Sequence, residues 1–388
     1  MIPSLDFVAL IIFVLAQWRI TVIWLRLARR RSGRARIAAF SAIFALDALL
    51  ASGYAFNFAS LLVKRVIIPG HAAMMLGAGS LLYLMSATAA LALHLVWKAV
   101  RKRMAADVDP GRRRVLNAAG SALVVAPFVV MGYGSLVERS AFRVREIDVP
   151  LPGLPRDLNG LRLLQLSDIH LSAFLSEAEL TRVIDAALET RPHVAVITGD
   201  LISIPGDPLD ACIRQLARLK TDAGTFGCMG NHERYANTEN YTADACARVG
   251  IRFLRGEARQ LRFGNAVVNL AGVDYQTMFK KDRYLIGADR LVVPGAVNIL
   301  LSHNPDVFPV AARQGYNLLL AGHTHGGQVT MEILDESINP ARALTPYVYG
   351  LFRSGSSAAY VTRGIGTIGI PARIGAPPEI SVLRLRKA

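Results

Sequence analysis

The 388-residue chain reads as an α/β domain preceded by an all-α membrane region. Three observations predict this. Four apolar stretches within residues 1–140 each have the length needed to cross about 30 Å of hydrocarbon. From about Glu138 the pattern changes to short apolar runs alternating with amphipathic stretches, as in layered α/β folds. Polar residues then gather at the carboxyl ends of those runs, the edge where open α/β sheets bind ligands. The expected division is 1–140 for the membrane region and 141–388 for the α/β domain.

The apolar stretches are Leu5–Leu25, Ile37–Val63, Ala72–Trp97 and Val115–Val137. They account for 52% hydrophobic residues and a mean hydropathy of +0.34, too apolar for two ordinary soluble domains. A buried soluble bundle is a poor alternative, because four near-continuous apolar runs leave no polar face for water. Gln17, Arg19 and Asp47 are costly in lipid and are expected to face other helices.

The loops set the orientation. Arg26, Arg29, Arg30, Arg31, Arg34 and Arg36 flank the first loop; Lys98, Arg101, Lys102, Arg103, Arg112, Arg113 and Arg114 flank the third; the second has only Lys64 and Arg65. Loops one and three are therefore predicted to be cytoplasmic, which puts the α/β domain on the outer face of a bacterial-type plasma membrane. These loops, opposed there only by Asp107 and Asp109, supply most of the formal net charge of +15, so a nucleic-acid partner loses its support. The stretch "GRRRVLNAAGSALVVAPFVV" (Gly111–Val130) fits either an ordinary positive flank or a twin-arginine signal read by the export machinery.

In the second domain, "LRLLQLSDIHL" (Leu161–Leu171) and "HVAVITGDLI" (His193–Ile202) read as strands. Between them, "SEAELTRVIDAALETRP" opens with a capping box, Ser176 and Glu179, and keeps helical spacing to Pro192. A helix over Pro208–Lys220, a strand and turn over Thr225–Glu233, and strands in "AVNILLSHNP" (Ala296–Pro305) and "YNLLLAGHTHGGQV" (Tyr316–Val329) follow. Cys212, Cys228 and Cys246 match no zinc spacing and read as small buried residues.

Asp168 and His170 end the first of these strands, Asp200 the second, Asn231 and His232 the third, His303 a later one, and His323 and His325 the last. In an extended segment residues i and i+2 point the same way, so Asp168 with His170, and His323 with His325, are expected to converge on a shared centre. Nitrogen and carboxylate donors without sulfur suit Mn²⁺, Fe²⁺ or Zn²⁺. Seven ligands are too many for one ion and suit two divalent metal ions, bridged by a carboxylate at about 3.5–4 Å, so that a bridging hydroxide attacks phosphorus.

"DIH", "GDLI", "GNHE", "SHNP" and "GHTHGGQ", in that order, resemble the calcineurin-like metallophosphoesterase superfamily over about Leu161–Leu385. The last block together with "YVTRGIGTIGIPARIGAPPEI" (Tyr360–Ile380) is similar to the membrane-associated YkuE/YaeI-type phosphodiesterases and to transmembrane proteins with a metallophosphoesterase domain. The resemblance implies a four-layer αββα sandwich. It implies Asp168, His170 and His325 as ligands of one ion, Asn231, His303 and His323 of the other, and Asp200 as the bridge. It makes His232 the catalytic histidine, which protonates the leaving group or stabilises the phosphoryl oxygens. Glu233 reads as a possible support of the turn. Asp200 is followed by "LISIPGD" in place of the arginine-containing motif of the protein phosphatases, which argues against a phosphoprotein substrate.

The expected activity is membrane-anchored, metal-dependent phosphodiester hydrolysis on a phosphoester substrate, including a phospholipid or lipid-linked one at the bilayer. Two alternatives stand beside it: pyrophosphate cleavage of UDP-2,3-diacylglucosamine, and a non-catalytic membrane sensor or transport-associated module. "ARALTPYVYGLFRSG" (Ala341–Gly355) reads as a substrate- or membrane-facing lip or as a loop with one packed edge. "YQTMFKKDRYL" (Tyr275–Leu285) reads as a solvated helix face or a lid, and the glycine-rich Gly364–Pro378 as loops shaped around the site.

Overall fold

A computed structural model of the chain describes residues 3–63, 71–104, 109–333 and 336–388. Lys64, Arg65 and Asp107, used above for orientation, lie outside the described residues. The chain divides into two compact units, Met1–Ser135 and Leu136–Ala388.

The first unit is helical: α1 (Pro3–Arg29), α2 (Gly33–Val63), α3 (His71–Met104) and α4 (Pro110–Leu136). Each contains a segment long and apolar enough to cross a membrane. Only residues 30–32 separate α1 from α2, so Arg26 and Arg29 belong to the last turn of α1, while Arg34 and Arg36 lie in the first turn of α2. Asp47 on α2 accepts from Gln17 Nε2 at 2.7 Å and from Thr21 Oγ1 at 2.9–3.0 Å on α1, which gives both polar groups a partner inside the unit. Arg19 does not share this contact and is exposed. It stands two residues from Gln17, and i and i+2 do not face one another on a helix. A Cβ at Gly53 would fall 2.2 Å from Ser80 Oγ, so α2 and α3 approach closely there, as small residues allow in lipid.

The second unit contains β1 (Arg143–Leu151), β2 (Arg162–Leu166), α5 (Glu177–Glu189), β3 (Val194–Ile197), α6 (Leu209–Leu216), β4 (Thr225–Gly227), α7 (Asn231–Ala236), α8 (Glu239–Arg248), β5 (Ile251–Phe253), β6 (Glu257–Phe263), β7 (Ala266–Gly272), β8 (Val297–Leu301), α9 (Phe308–Gln314), β9 (Leu318–Ala321), β10 (Met331–Ile333), β11 (Glu336–Ile338), β12 (Gly350–Ser354), β13 (Ser357–Val361) and β14 (Glu379–Lys387). One six-stranded sheet has the order β1-β14-β2-β3-β4-β5 and the other β12-β13-β9-β8-β7-β6, with β10-β11 a separate hairpin.

The near-continuous apolar strands follow from burial on both faces. Leu163, Val196 and Phe226 of the first sheet meet Val268, Ile299 and Leu320 of the second in the central layer. The opposite faces, Leu164, Ala195 and Ile197, pack under Leu180, Ile184, Cys212 and Leu216 of α5 and α6, while Leu300 and Leu319 pack under Phe308 and Ala311 of α9. The result is a four-layer α/β/β/α sandwich. All three cysteines are free and buried. The α5 capping box forms, with Ser176 Oγ accepting from the Glu179 N–H at 3.2 Å and the Glu179 carboxylate from the Ser176 N–H at 2.8 Å.

The strands stop earlier than their apolar runs suggest: β2 ends at Leu166 and β3 at Ile197, ahead of the polar residues. The segment Pro208–Lys220 is helical only over Leu209–Leu216, and the basic Tyr275–Leu285 is a loop with a single 3-10 turn at Lys281–Arg283.

Candidate metal centre

The strands β2, β3 and β4, parallel in one sheet, and β8 and β9, parallel in the other, deliver all eight singled-out residues to one edge. Gln165 of β2 ties the two sheets together there, donating to Thr198 Oγ1 at 3.0 Å and to the Ala321 carbonyl at 2.9 Å.

Beyond the strand ends the backbone is not extended. Asp168, His170, Asp200, His323 and His325 all have positive φ, between 48° and 74°. This corrects the expectation of alternating extended residues: left-handed residues, costly for side chains other than Asn, Asp and His, turn each ligand individually. The pairing differs accordingly. Asp168, His170 and His325 form one group with donor atoms within 4.8 Å of one another, and Asp200, His303 and His323 form a second; His170, Asp200 and His232 form a third that joins them. His323 and His325 therefore serve two different groups.

The distances place Asp200 between the groups. Its Oδ2 lies 3.0 Å from His303 Nε2 and 3.6 Å from His170 Nε2. Asp168 Oδ1 is 3.3 Å from His325 Nε2, and His303 Nε2 is 3.2 Å from His323 Nδ1. Asn231, the first residue of α7, is buried, and its Oδ1, like the buried His170 Nε2 and His325 Nδ1, has no hydrogen-bond partner among the described residues. Buried acceptors left without a partner are uncommon, and in this setting of nitrogen and oxygen donors they fit a divalent cation.

Charge is distributed unevenly. Burial pushes Asp168 up to about 6. It also drives His170 and His323 down to about 3 and His325 well below its ordinary value, so these imidazoles are neutral, as metal ligands must be. The contact between His170 and Asp200 is consequently not an ion pair. For His303 burial opposes the charged form, yet Asp200 and Asp168 outweigh it and lift the group to about 10. Burial works against Asp200 too, but His303 and His232 hold it well below the usual carboxylate range.

A second tier fixes these groups. The buried Glu233 carboxylate accepts from the backbone N–H of Asp200 at 3.0 Å, Leu201 at 2.6 Å and Gly230 at 2.8 Å, so it ties the second and third motifs together as well as supporting the turn. His303 Nδ1 donates to the Thr198 carbonyl at 2.6 Å, which directs Nε2 at Asp200. His232 donates its backbone N–H to Asp200 Oδ1 at 2.8 Å, and its ring Nδ1 meets the Ser203 carbonyl. The glycine-rich loop abuts the site: a Cβ at Gly364 would lie 2.6 Å from Asp168 Cβ, and one at Gly366 2.2 Å from the Ile169 carbonyl. The fully buried Arg373 holds that loop through the carbonyls of Gly366, Ala376, Arg363 and His325.

Three further groups stand near the centre, Tyr275 from the stretch read as a solvated helix face or lid, Arg363 from the Tyr360–Ile380 block, and Tyr235, which no motif contained. Tyr275 packs against the rings of His303 and His323, with centroids 6.1 and 5.7 Å away; Tyr235 lies 5.6 Å from His232. Arg363 stacks 4.0 Å over Tyr349 and crosses Gly326 beside His325. Position after a strand end was the one available clue. In Ala341–Gly355, Tyr347 packs edge-on against Phe308 and Phe352, whereas Arg342 and Leu344 are exposed.

Residues 161–327 match the calcineurin-like phosphoesterase family. The chain is 31% identical over 280 residues to the Danio rerio transmembrane protein with metallophosphoesterase domain, covering 69% of this chain and 62% of that protein. It is 29% identical to the uncharacterized metallophosphoesterase YkuE of Bacillus subtilis, over 66% of this chain and 89% of the relative. It is 28% identical to the phosphodiesterase YaeI of Escherichia coli, over 71% and 98%. The chain thus spans less than two thirds of the Danio rerio relative's length. The similarity to the calcineurin-like phosphoesterase family is thus carried by the domain at residues 161–327.

Proposed function

We propose that the protein is a membrane-anchored, metal-dependent phosphodiesterase whose site holds two divalent cations. The observation that carries this reading is Asp200, whose one carboxylate lies within reach of both histidine groups. Asp168, His170 and His325 would hold one cation, Asn231, His303 and His323 the other, with Asp200 shared. When bound, the cations supply Lewis acidity toward the phosphoryl oxygens and a source of hydroxide at neutral pH. Mn²⁺, Fe²⁺ and Zn²⁺ suit the donor set.

His232 does the proton work. Its Nδ1 keeps a hydrogen toward the Ser203 carbonyl, so that in the imidazolium form Nε2 carries the proton that is given to the departing oxygen, which leaves the neutral imidazole. Asp168, His170, Asp200, Asn231, His303 and His325 are buried, which limits the access of water to the centre. A sensor that merely bound metal would have no use for a histidine so held.

The substrate is a phosphodiester, and four apolar spans in the same chain favour one carried on a lipid. The arginine-rich flanks of the first and third loops support an outer-face site. A UDP-linked lipid A precursor would require the cytoplasmic face. Hydrolysis of bis-p-nitrophenyl phosphate by the intact protein tests the activity: turnover with Mn²⁺ that chelation abolishes is expected, and no turnover with any of the three metals would leave the sensor reading in its place.

A further inference from the structure

The chain enters the α/β unit at the same edge that carries the metal centre. β1 starts at Arg143, only the seventh residue after Leu136 ends α4. There the Arg143 N–H donates to the Pro378 carbonyl at 3.0 Å, and the Glu379 N–H, at the start of the neighbouring β14, donates to the Gly364 carbonyl at 3.0 Å. Gly364 in turn lies against Asp168.

The same edge carries the unit's exposed apolar side chains. From Arg143 onward, the described large hydrophobic residues left exposed are Val144, Tyr235, Tyr241, Phe279, Ile286, Leu344 and Ile368. Five of these sit on the site edge, each from a different segment. Val144 follows the entry residue, and Tyr235 flanks His232. Phe279 and Leu344 come from loops that meet at Asp306: Lys281 Nζ lies 3.8 Å from its carboxylate, and Thr345 Oγ1 donates to it. The Ile368 carbonyl accepts from Gln328 Nε2 at 3.1 Å, three residues past His325. Between them stand the exposed Arg234, Lys280, Lys281 and Arg342. Apolar side chains interleaved with cations suit a surface of acyl chains and anionic headgroups, and suit water poorly.

We infer that this rim is a lipid-contacting lip, which presents the metal centre to phosphoesters held in a bilayer bearing anionic headgroups. The inference rests on the phosphodiesterase reading for its chemistry, whereas the lip itself is a surface property. It explains why Val144, Tyr235, Phe279, Leu344 and Ile368 remain exposed on this edge, Phe279 at 65% and Ile368 at 36% of their surface.

The test uses the intact protein in phosphatidylcholine–phosphatidylglycerol vesicles. Phe279→Cys, Leu344→Cys and Ile368→Cys, and as a control Lys220→Cys, which is exposed ahead of β4 at the opposite edge, are labelled with bimane; the native cysteines are buried. Quenching by doxyl-labelled lipid is expected at the three rim positions and absent at Lys220→Cys. Rim positions quenched no more than the control would overturn the lip. In the same vesicles Phe279→Asp with Leu344→Asp is expected to slow cleavage of a lipid-borne phosphodiester about tenfold while bis-p-nitrophenyl phosphate turnover is unchanged, since only the interfacial contact is lost. Equal loss on both esters, or on neither, would count against the lip as well. A wild-type protein that cleaves neither ester contradicts the phosphodiesterase reading alone, because quenching still decides the lip.

Discussion

At the scale of single residues the proposed division of labour is between groups that hold cations and one that moves a proton. His232, half-buried like His323, differs from the other motif histidines in having no part in either three-ligand group proposed here, and its ring Nδ1 meets the Ser203 carbonyl. His232→Ala is therefore expected to retain both cations while turnover falls by about 10²–10⁴-fold, the usual contribution of a positioned acid. Metal analysis beside steady-state kinetics checks this, and loss of a cation in the variant would reassign the residue. The identities of these residues were legible in the sequence because five polar blocks follow apolar runs. Their conformation was not: the left-handed φ at Asp168, His170, Asp200, His323 and His325 comes from tertiary packing around the site, and nothing in local spacing distinguishes it from an extended strand end.

At the scale of elements, short strands and close backbone approaches decide where the ligands stand. The turn from β4 into α7 brings Gly230 so near that a Cβ would lie 2.1 Å from Asp200 Oδ1 and 2.5 Å from the Asp200 nitrogen. Gly230 has φ −95°, which any residue adopts, so the space alone demands glycine here. Gly230→Ala is expected to displace Asp200 and weaken binding of both cations by at least about tenfold, comparable to losing a supporting contact around a metal. Isothermal titration with Mn²⁺ would read it, and unchanged affinity would mean that the turn yields without moving Asp200. Alternating apolar runs made the α/β layering readable in advance and the Ser176–Glu179 capping box made α5 so, whereas the four-layer order came from the family resemblance. Tyr235 escaped that reading, and Tyr275 and Arg363 entered it only as parts of longer stretches, because an aromatic or basic residue in a loop carries no period, and its nearness to a site appears only once distant strands are paired.

At the scale of the whole molecule, four apolar helices and one metallophosphoesterase domain share a chain. The arginine-rich flanks predict that the domain faces outward. A membrane-impermeant maleimide is accordingly expected to label Lys220→Cys in intact cells, against a low background from the buried native cysteines. Protection until the cells are opened would reverse the orientation and revive the UDP-linked lipid as substrate. The helices were legible from length and hydropathy alone, whereas the partners of Asp47 were not, since Gln17 and Thr21 become neighbours only through packing of α1 on α2.

The most direct measurement of the central claim is the metal content of the purified, intact protein beside that of Asp200→Ala. Two divalent cations per chain in the parent, with loss of both metal and phosphodiester turnover in the variant, is the predicted result. Two cations retained in Asp200→Ala would contradict a shared carboxylate at the heart of the site.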